Sequence, residues 1–228
     1  MSQWKLNAET GEWEVGPDNN YIRNFSFDAD RVDIPSTTKP AQTYLKGWSF
    51  NVIQGNKIVQ GSADSPVLNA NNTTTDRSTV MGNKCMNITD KVDFKRQIWQ
   101  KIMSTVCVPL SDGIYRMTCQ VKSASNFNRL EMYAVSGIDT FKVNMPYSDG
   151  QWHHIVIDNI NISGGAVEVG FYADGAAGDW ARVDDATLVK MSDAIPASVR
   201  LSSLADHTQE SYYTLDGIRL LKPRKGLN

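Results

Sequence analysis

The chain has 228 residues, enough to bury a substantial core within one domain. Charged residues make up 21%, the formal net charge is −2, and the basic residues are scattered, so no positive stripe exists for a phosphate backbone and nucleic acid is excluded as a partner. No stretch approaches the roughly 18 to 20 apolar residues of a membrane-spanning helix.

Residues 1–20 combine Gly11, Gly16, Pro17 and Asp18 with few apolar anchors, Trp4, Leu6, Trp13 and Val15, and read as an N-terminal arm or linker. This stretch is polar and acidic, with no basic segment leading into an apolar one, so no signal peptide is visible. From Tyr21 onward apolar and polar residues alternate in short runs, the pattern of a half-buried antiparallel sheet. The runs are Trp48–Ile53, Ile58–Gln60, Thr79–Ile88, Met103–Val108, Ile114–Val121, Arg129–Val135, Trp152–Ile157, Ala166–Tyr172 and Ala181–Lys190. Turn residues such as Ser111-Asp112-Gly113, Ser148-Asp149-Gly150 and Gly164-Gly165 separate them, which predicts about nine strands and an all-β fold. Residues 90–103 are read as a short helix or as a loop leading into a strand. After Met191 the chain changes character: 192–209 suggest a short helix or a linker, and Tyr212–Leu221 a hairpin turning at Asp216-Gly217.

Cys85, Cys107 and Cys119 lack metal-type spacing. They are read as small buried side chains, with a Cys107–Cys119 disulfide as the alternative. Enzyme signatures are missing as well. His153 and His154 are adjacent and point to opposite faces of a strand, His207 lies near the C-terminus, and no nucleophile elbow, zinc-protease helix or phosphate loop occurs. No catalytic residue is expected.

The segment Tyr21-Ile-Arg-Asn24-Phe-Ser-Phe27-Asp28 followed by Gly47-Trp48 resembles the opening of carbohydrate-binding modules with a galactose-binding-like jelly roll, families 4, 9 and 22 among them. Those modules open on Asn-Pro-Gly/Ser-Phe-Glu; here Phe25 replaces Pro and Asp28 replaces Glu. Further boxes follow in order: Trp99-Gln100, Pro109-Leu-Ser-Asp-Gly113-Ile-Tyr115, Gln151-Trp152, Val167-Glu-Val-Gly170-Phe-Tyr172, Gly178-Asp-Trp180 and Val183-Asp184-Asp185-Ala-Thr-Leu188. The tail Tyr212-Tyr-Thr-Leu-Asp-Gly-Ile-Arg-Leu-Leu-Lys-Pro-Arg-Lys-Gly226 is similar to an ending common on extracytoplasmic Bacteroidetes enzymes. The resemblance implies a β-sandwich jelly roll over residues 21–190, with 1–20 as an arm and 191–228 as a C-terminal appendage carrying the β-hairpin.

It also implies a function. The expectation is a monomeric, non-catalytic module, located outside the cytoplasm, that binds an oligo- or polysaccharide and keeps a linked glycoside hydrolase or lyase near plant or host glycans by effective concentration. The alternative is a jelly roll that serves only as a spacer or interaction domain. A structural calcium is expected from Asp28, Asp184 and Asp185, because the first and last strands of such a fold meet and calcium takes six to eight oxygens. Sugar recognition needs flat aromatic faces beside hydrogen-bonding groups. Trp180, Trp99, Tyr133, Tyr172 and Tyr147 are the candidate platforms, with Arg129 as the candidate polar partner and Arg96, Gln97, Asn128 and Glu131 nearby. Packing is the competing role for each aromatic. Trp48, Tyr115, Phe171 and Trp152 are assigned to the core.

Overall fold

The structure is a computed structural model that describes residues 19–27, 47–55, 80, 84–106 and 108–194, together with the backbone of five short strands elsewhere. The chain divides into two compact units, Met1–Asp193 and Ala194–Asn228. In the second, β13 (Tyr212–Tyr213) pairs antiparallel with β14 (Arg219–Leu220), the expected hairpin.

The first unit carries a two-stranded ribbon of β1 (Lys5–Leu6) and β2 (Trp13–Glu14) and two five-stranded sheets. Its remaining strands are β3 (Ser49–Gln54), β4 (Val67–Asn69), β5 (Lys84–Thr89), β6 (Phe94–Met103), β7 (Gly113–Ser123), β8 (Arg129–Ser136), β9 (Asp139–Asn144), β10 (Trp152–Ile162), β11 (Ala166–Gly175) and β12 (Trp180–Asp193). One sheet has the order β10-β7-β12-β5-β4, the other β3-β6-β11-β8-β9, and every pairing is antiparallel. The all-β fold expected from the alternation forms, as the jelly-roll sandwich that the resemblance implies.

The core lies between the inner faces. Tyr115, Met117, Cys119 and Val121 of β7 alternate inward and meet Val167, Val169, Phe171 and Ala173 of β11. Trp48 bridges the ring stack, 5.8 Å from Phe27 and 5.8 Å from Phe171, and Tyr21 meets Tyr115 edge-on at 5.6 Å. Cys85 and Cys119 are fully buried, burial pushing the Cys85 thiol up to about 12. Cys119 forms no disulfide, and Cys107 lies outside the described residues.

Several elements differ from expectation. Residues 94–103 are neither helix nor loop but the ten-residue strand β6, and the strand expected over Met103–Val108 ends at Met103. Two inward positions of β6 are polar, which hides its alternation. Arg96 is buried and bonds the Asp90 carboxylate and the Thr89 carbonyl, while Gln100 accepts from the Arg23 amide at 3.0 Å and donates to the Arg23 carbonyl at 3.3 Å. Arg96 therefore serves the interior and is not a surface polar partner. β9 was not anticipated, and residues 21–27, the opening box of the resemblance, form a turn.

That turn is nevertheless docked on the last strand. A register shift in β12 between Asp184 and Thr187, with Asp185 at φ +48°, takes Ala186 out of the ladder with β7. Its freed backbone groups are then satisfied by the N-terminal segment, as burial requires. The Asn20 amide donates to the Ala186 carbonyl (3.2 Å), its oxygen accepts from Leu188 N (3.0 Å), and Ala186 N donates to the Phe25 carbonyl (3.1 Å).

Candidate functional site

In β6, β8 and β11 the residues that do not point inward form one solvent-side surface on the β3-β6-β11-β8-β9 sheet. Pairing registers set Ser49, Trp99, Gly170, Tyr133 and Lys142 in one row across the five strands. The next row holds Asn51, Gln97, Tyr172, Glu131 and Asn144. Four expected residues, Trp99, Tyr133, Tyr172 and Arg129, thus share one face, Tyr172 opposite inward-pointing Phe171 as alternation requires.

Gly170 shapes the centre of this face. A Cβ there would lie 2.4 Å from the Ile98 carbonyl oxygen and 2.8 Å from the Tyr133 hydroxyl, so only a glycine lets the Tyr133 ring fold down across β11. Tyr133 is consequently only 8% exposed and forms the floor between Trp99 and Tyr172, not a stacking platform. Its hydroxyl accepts from the Gln97 amide at 2.6 Å and donates to Glu168 Oε1 at 3.0 Å, and Asn51 donates to Gln97 Oε1 at 3.1 Å. Burial, the largest cause, holds the Tyr133 phenol well above its ordinary pKa, so it stays a proton donor. This relay across four strands fixes the polarity of the Gln97 amide and the position of the Glu168 carboxylate.

A charged border lies beside the rings. Arg129 stacks its guanidinium 4.3 Å from the centroid of Tyr172 and pairs with Glu131 at 2.5 Å, while Lys142 reaches the other Glu131 oxygen at 3.4 Å. Glu131 is held below the usual carboxylate range, chiefly by its hydrogen bond from Arg129. Asp174 is lowered likewise, chiefly by Lys95 at 2.9 Å. Trp99 is half-buried, and its indole N–H, an obligatory donor, has no partner among the described residues. The face therefore offers two ring systems beside amides, carboxylates and a guanidinium held in place. Such a surface suits a ligand with alternating apolar faces and hydroxyl edges.

Other expected residues lie elsewhere. Trp180 begins β12 on the opposite sheet, under the guanidinium of Arg182 at 5.0 Å. Trp152, assigned to the core, pairs with Lys122 on the solvent side of that same sheet and is only half-buried, because inward parity in β10 falls on Ile155 and Ile157. Tyr147 stacks on His153 at 3.7 Å in the turn after β9, and His153 in turn pairs with Asp149 at 2.9 Å.

Of the expected calcium ligands, Asp28 lies outside the described residues. Asp184 is fully buried and receives backbone N–H donors, from Val80 at 2.7 Å and Asp185 at 2.8 Å. Asp185 is half-buried, its pKa raised by desolvation, and its carboxylate accepts no hydrogen bond among the described residues. No group of three His, Cys, Asp or Glu converges among the described residues, so these two carboxylates alone do not make a calcium site.

Glu168 and Gly170 were not singled out in the sequence. Their signal, the parity of β11, was present, but their roles depend on Tyr133 arriving from a neighbouring strand.

No protein-family model and no curated protein sequence matches the chain. Solved structures share its fold. TmCBM61, solved in complex with β-1,4-galactotriose, superposes with a TM-score of 0.56 at 17% identity, covering 75% of this chain and 99% of that one. A cyclase from Fischerella sp. TAU in complex with 4-(1H-indol-3-yl)butan-2-one gives 0.52 at 9% identity, over 76% of this chain and 98% of its own. The enzymatically active domain of bacteriophage CBA120 tailspike protein 4 gives 0.51 at 10% identity, over 76% of this chain and 22% of that one. A binding module and an enzyme both use this sandwich, so the fold alone does not select a function.

Proposed function

We propose that this chain is a non-catalytic carbohydrate-binding module that lays a glycan across the solvent face of the β3-β6-β11-β8-β9 sheet. The observation that carries the reading is the convergence there of Trp99 and Tyr172 with Gln97, Glu168 and Arg129 on a floor made by Tyr133 over Gly170. Pyranose rings lie over the Trp99 indole and the Arg129–Tyr172 stack, and the fixed amide and carboxylate take the hydroxyls. Glu131 and Asp174 are both held as carboxylates by neighbouring cations, the opposite of the raised pKa that a glycosidic general acid needs.

The wider reading is a module tethering a linked glycoside hydrolase or lyase to its polymer outside the cytoplasm, supported by the Tyr212–Gly226 ending that resembles Bacteroidetes extracytoplasmic enzymes. A structural calcium at Asp185 belongs to the same proposal, with Asp28 and backbone carbonyls supplying the oxygens that the described residues lack.

The test is titration calorimetry against a panel that starts with β-1,4-galactotriose, the ligand in TmCBM61, and includes xylo- and cello-oligosaccharides. Wild type is expected to bind at least one. Trp99→Ala should weaken it about thirtyfold, the scale for removing an aromatic anchor. Trp180→Ala and Tyr147→Ala, on other surfaces, should leave it unchanged. Binding lost in Trp180→Ala and kept in Trp99→Ala would move the site to the opposite sheet.

A further inference from the structure

At one corner of the proposed glycan face the sheet gives way to a pocket of about 250 Å³ that the sequence did not announce. Its walls are the β7–β8 connection (Ser125 to Asn128), the first residues of β8 (Arg129, Leu130) and the end of β9 with the turn beyond it (Asn144 to Pro146). The apolar floor is fixed. Leu130 and Met145 are buried and joined by a backbone bond from Met145 N to the Leu130 carbonyl (2.8 Å), and Phe127 stands edge-on to Phe94 at 6.0 Å.

The polar lining is uneven, with two exposed amides left for solvent or a ligand. Asn128 donates to Asp174 at 3.2 Å, and Arg129 pairs with Glu131 while keeping further N–H donors at the pocket. The side-chain amides of Asn126 and Asn144 make no hydrogen bond among the described residues, although both line the opening. An amide offers two donors and an acceptor, the mixture that hydroxyl pairs demand, and it carries no charge to favour a carboxylate. Two features join pocket to face. Arg129 lines the pocket while covering Tyr172, and Asn144 is in register with Glu131, itself in register with Tyr172.

We propose that this pocket is a subsite for one terminal, uncharged hexose, so that the module reads the end of a glycan chain whose next units lie on Tyr172 and Trp99. The inference rests on the carbohydrate reading of the face. A chain crossing the row Gln97, Tyr172, Glu131, Asn144 arrives at a floor of Leu130 and Met145. It must stop there.

The experiment uses the full chain with neutral β-1,4-linked trioses of galactose, glucose and xylose, each also as the reduced alditol and as the form methylated at its non-reducing end. One capped form of the bound triose is expected to bind at least tenfold more weakly than the free triose. The double variant Asn126→Ala/Asn144→Ala and the pocket-filling Asn126→Trp, both at exposed positions, should lower affinity for the free triose about tenfold and melt like wild type, while affinity for the weakened capped form stays as it was. Equal binding of all three forms, or pocket variants that bind like wild type, overturns the subsite and leaves the glycan face standing. Tighter binding of trigalacturonate than of every neutral triose overturns the uncharged hexose. Failure of every neutral triose and of trigalacturonate to bind wild type removes the carbohydrate reading and the subsite with it.

Discussion

Replacing Gly170 by alanine tests the architecture of the face at its centre. The added Cβ would stand 2.4 Å from the Ile98 carbonyl oxygen, a backbone atom of β6 that cannot yield without disturbing a ladder, and 2.8 and 2.9 Å from the hydroxyl and Cζ of Tyr133. Overpacking of this kind costs about 1–3 kcal/mol, and the immovable carbonyl places the site at the upper end. Lifting Tyr133 also breaks its bonds to Gln97 and Glu168, worth about 1 kcal/mol for the neutral partner and about 2 kcal/mol for the carboxylate. Alanine recovers roughly 0.5–1 kcal/mol of backbone entropy, so the net loss is about 5 kcal/mol. For a domain of this size that is a fall in melting temperature of roughly 10–20 °C, read by calorimetry. Glycan affinity measured below the melt should drop about tenfold, because Gln97 and Glu168 lose their fixed positions. In a Tyr133→Ala background Gly170→Ala should cost about 3 kcal/mol less, since the Tyr133 bonds are already gone and only the Ile98 contact remains. A Gly170→Ala protein melting within about 2 °C of wild type would refute the claim that the ring is pinned over the glycine.

Arg129→Gln removes the group that chiefly depresses the Glu131 pKa and leaves only Lys142 at 3.4 Å. Because the folded-state pKa of Glu131 lies below its unfolded value, its contribution is fully present above the ordinary carboxylate pKa and is lost as pH falls through the folded one. The variant, in which the folded-state pKa lies closer to the unfolded one, should therefore be less stable than wild type near neutral pH and lose less stability than wild type on acidification below about pH 5, followed by thermal melts across a pH series. Wild-type glycan affinity should stay flat between about pH 5 and 8, since Glu131 and Asp174 are already ionised there and the face carries no histidine among the described residues; a histidine-like transition in the titration would show that another group contributes. Excess EDTA is expected to lower the melting temperature, and an unchanged melt would remove the calcium from the proposal.

What could be read from the sequence divides along physical lines. Strands β7, β10, β11 and β12 were legible because their inward positions are almost all apolar, so the period of two is visible without knowing the partner. β6 was illegible because Arg96 and Gln100 occupy inward positions, and their satisfaction by Asp90, Thr89 and Arg23 is a tertiary fact. β9 is an edge strand whose inward set is only Phe141 and Val143. Its alternation is too short to stand out.

The site followed the same rule. Once β6, β8 and β11 are strands, parity alone puts Gln97 and Trp99, Glu131 and Tyr133, and Glu168, Gly170 and Tyr172 on solvent-side positions. Parity does not say which sheet a strand joins. Trp180 and Trp152 satisfy it equally well, opposite Ala181 and in step against Ile155, and they were separated from Trp99 only by the order β10-β7-β12-β5-β4. Strand order depends on long-range pairing, whose information is spread over the whole core. Gly170 is the limiting case, for its only contribution is the absence of a side chain beneath a tyrosine from the next strand. Locally it reads as a weak point in β11. Across the sheet it is what allows Tyr133 to serve as a floor, and so the residue least visible in the sequence is the one on which the geometry of the face most depends.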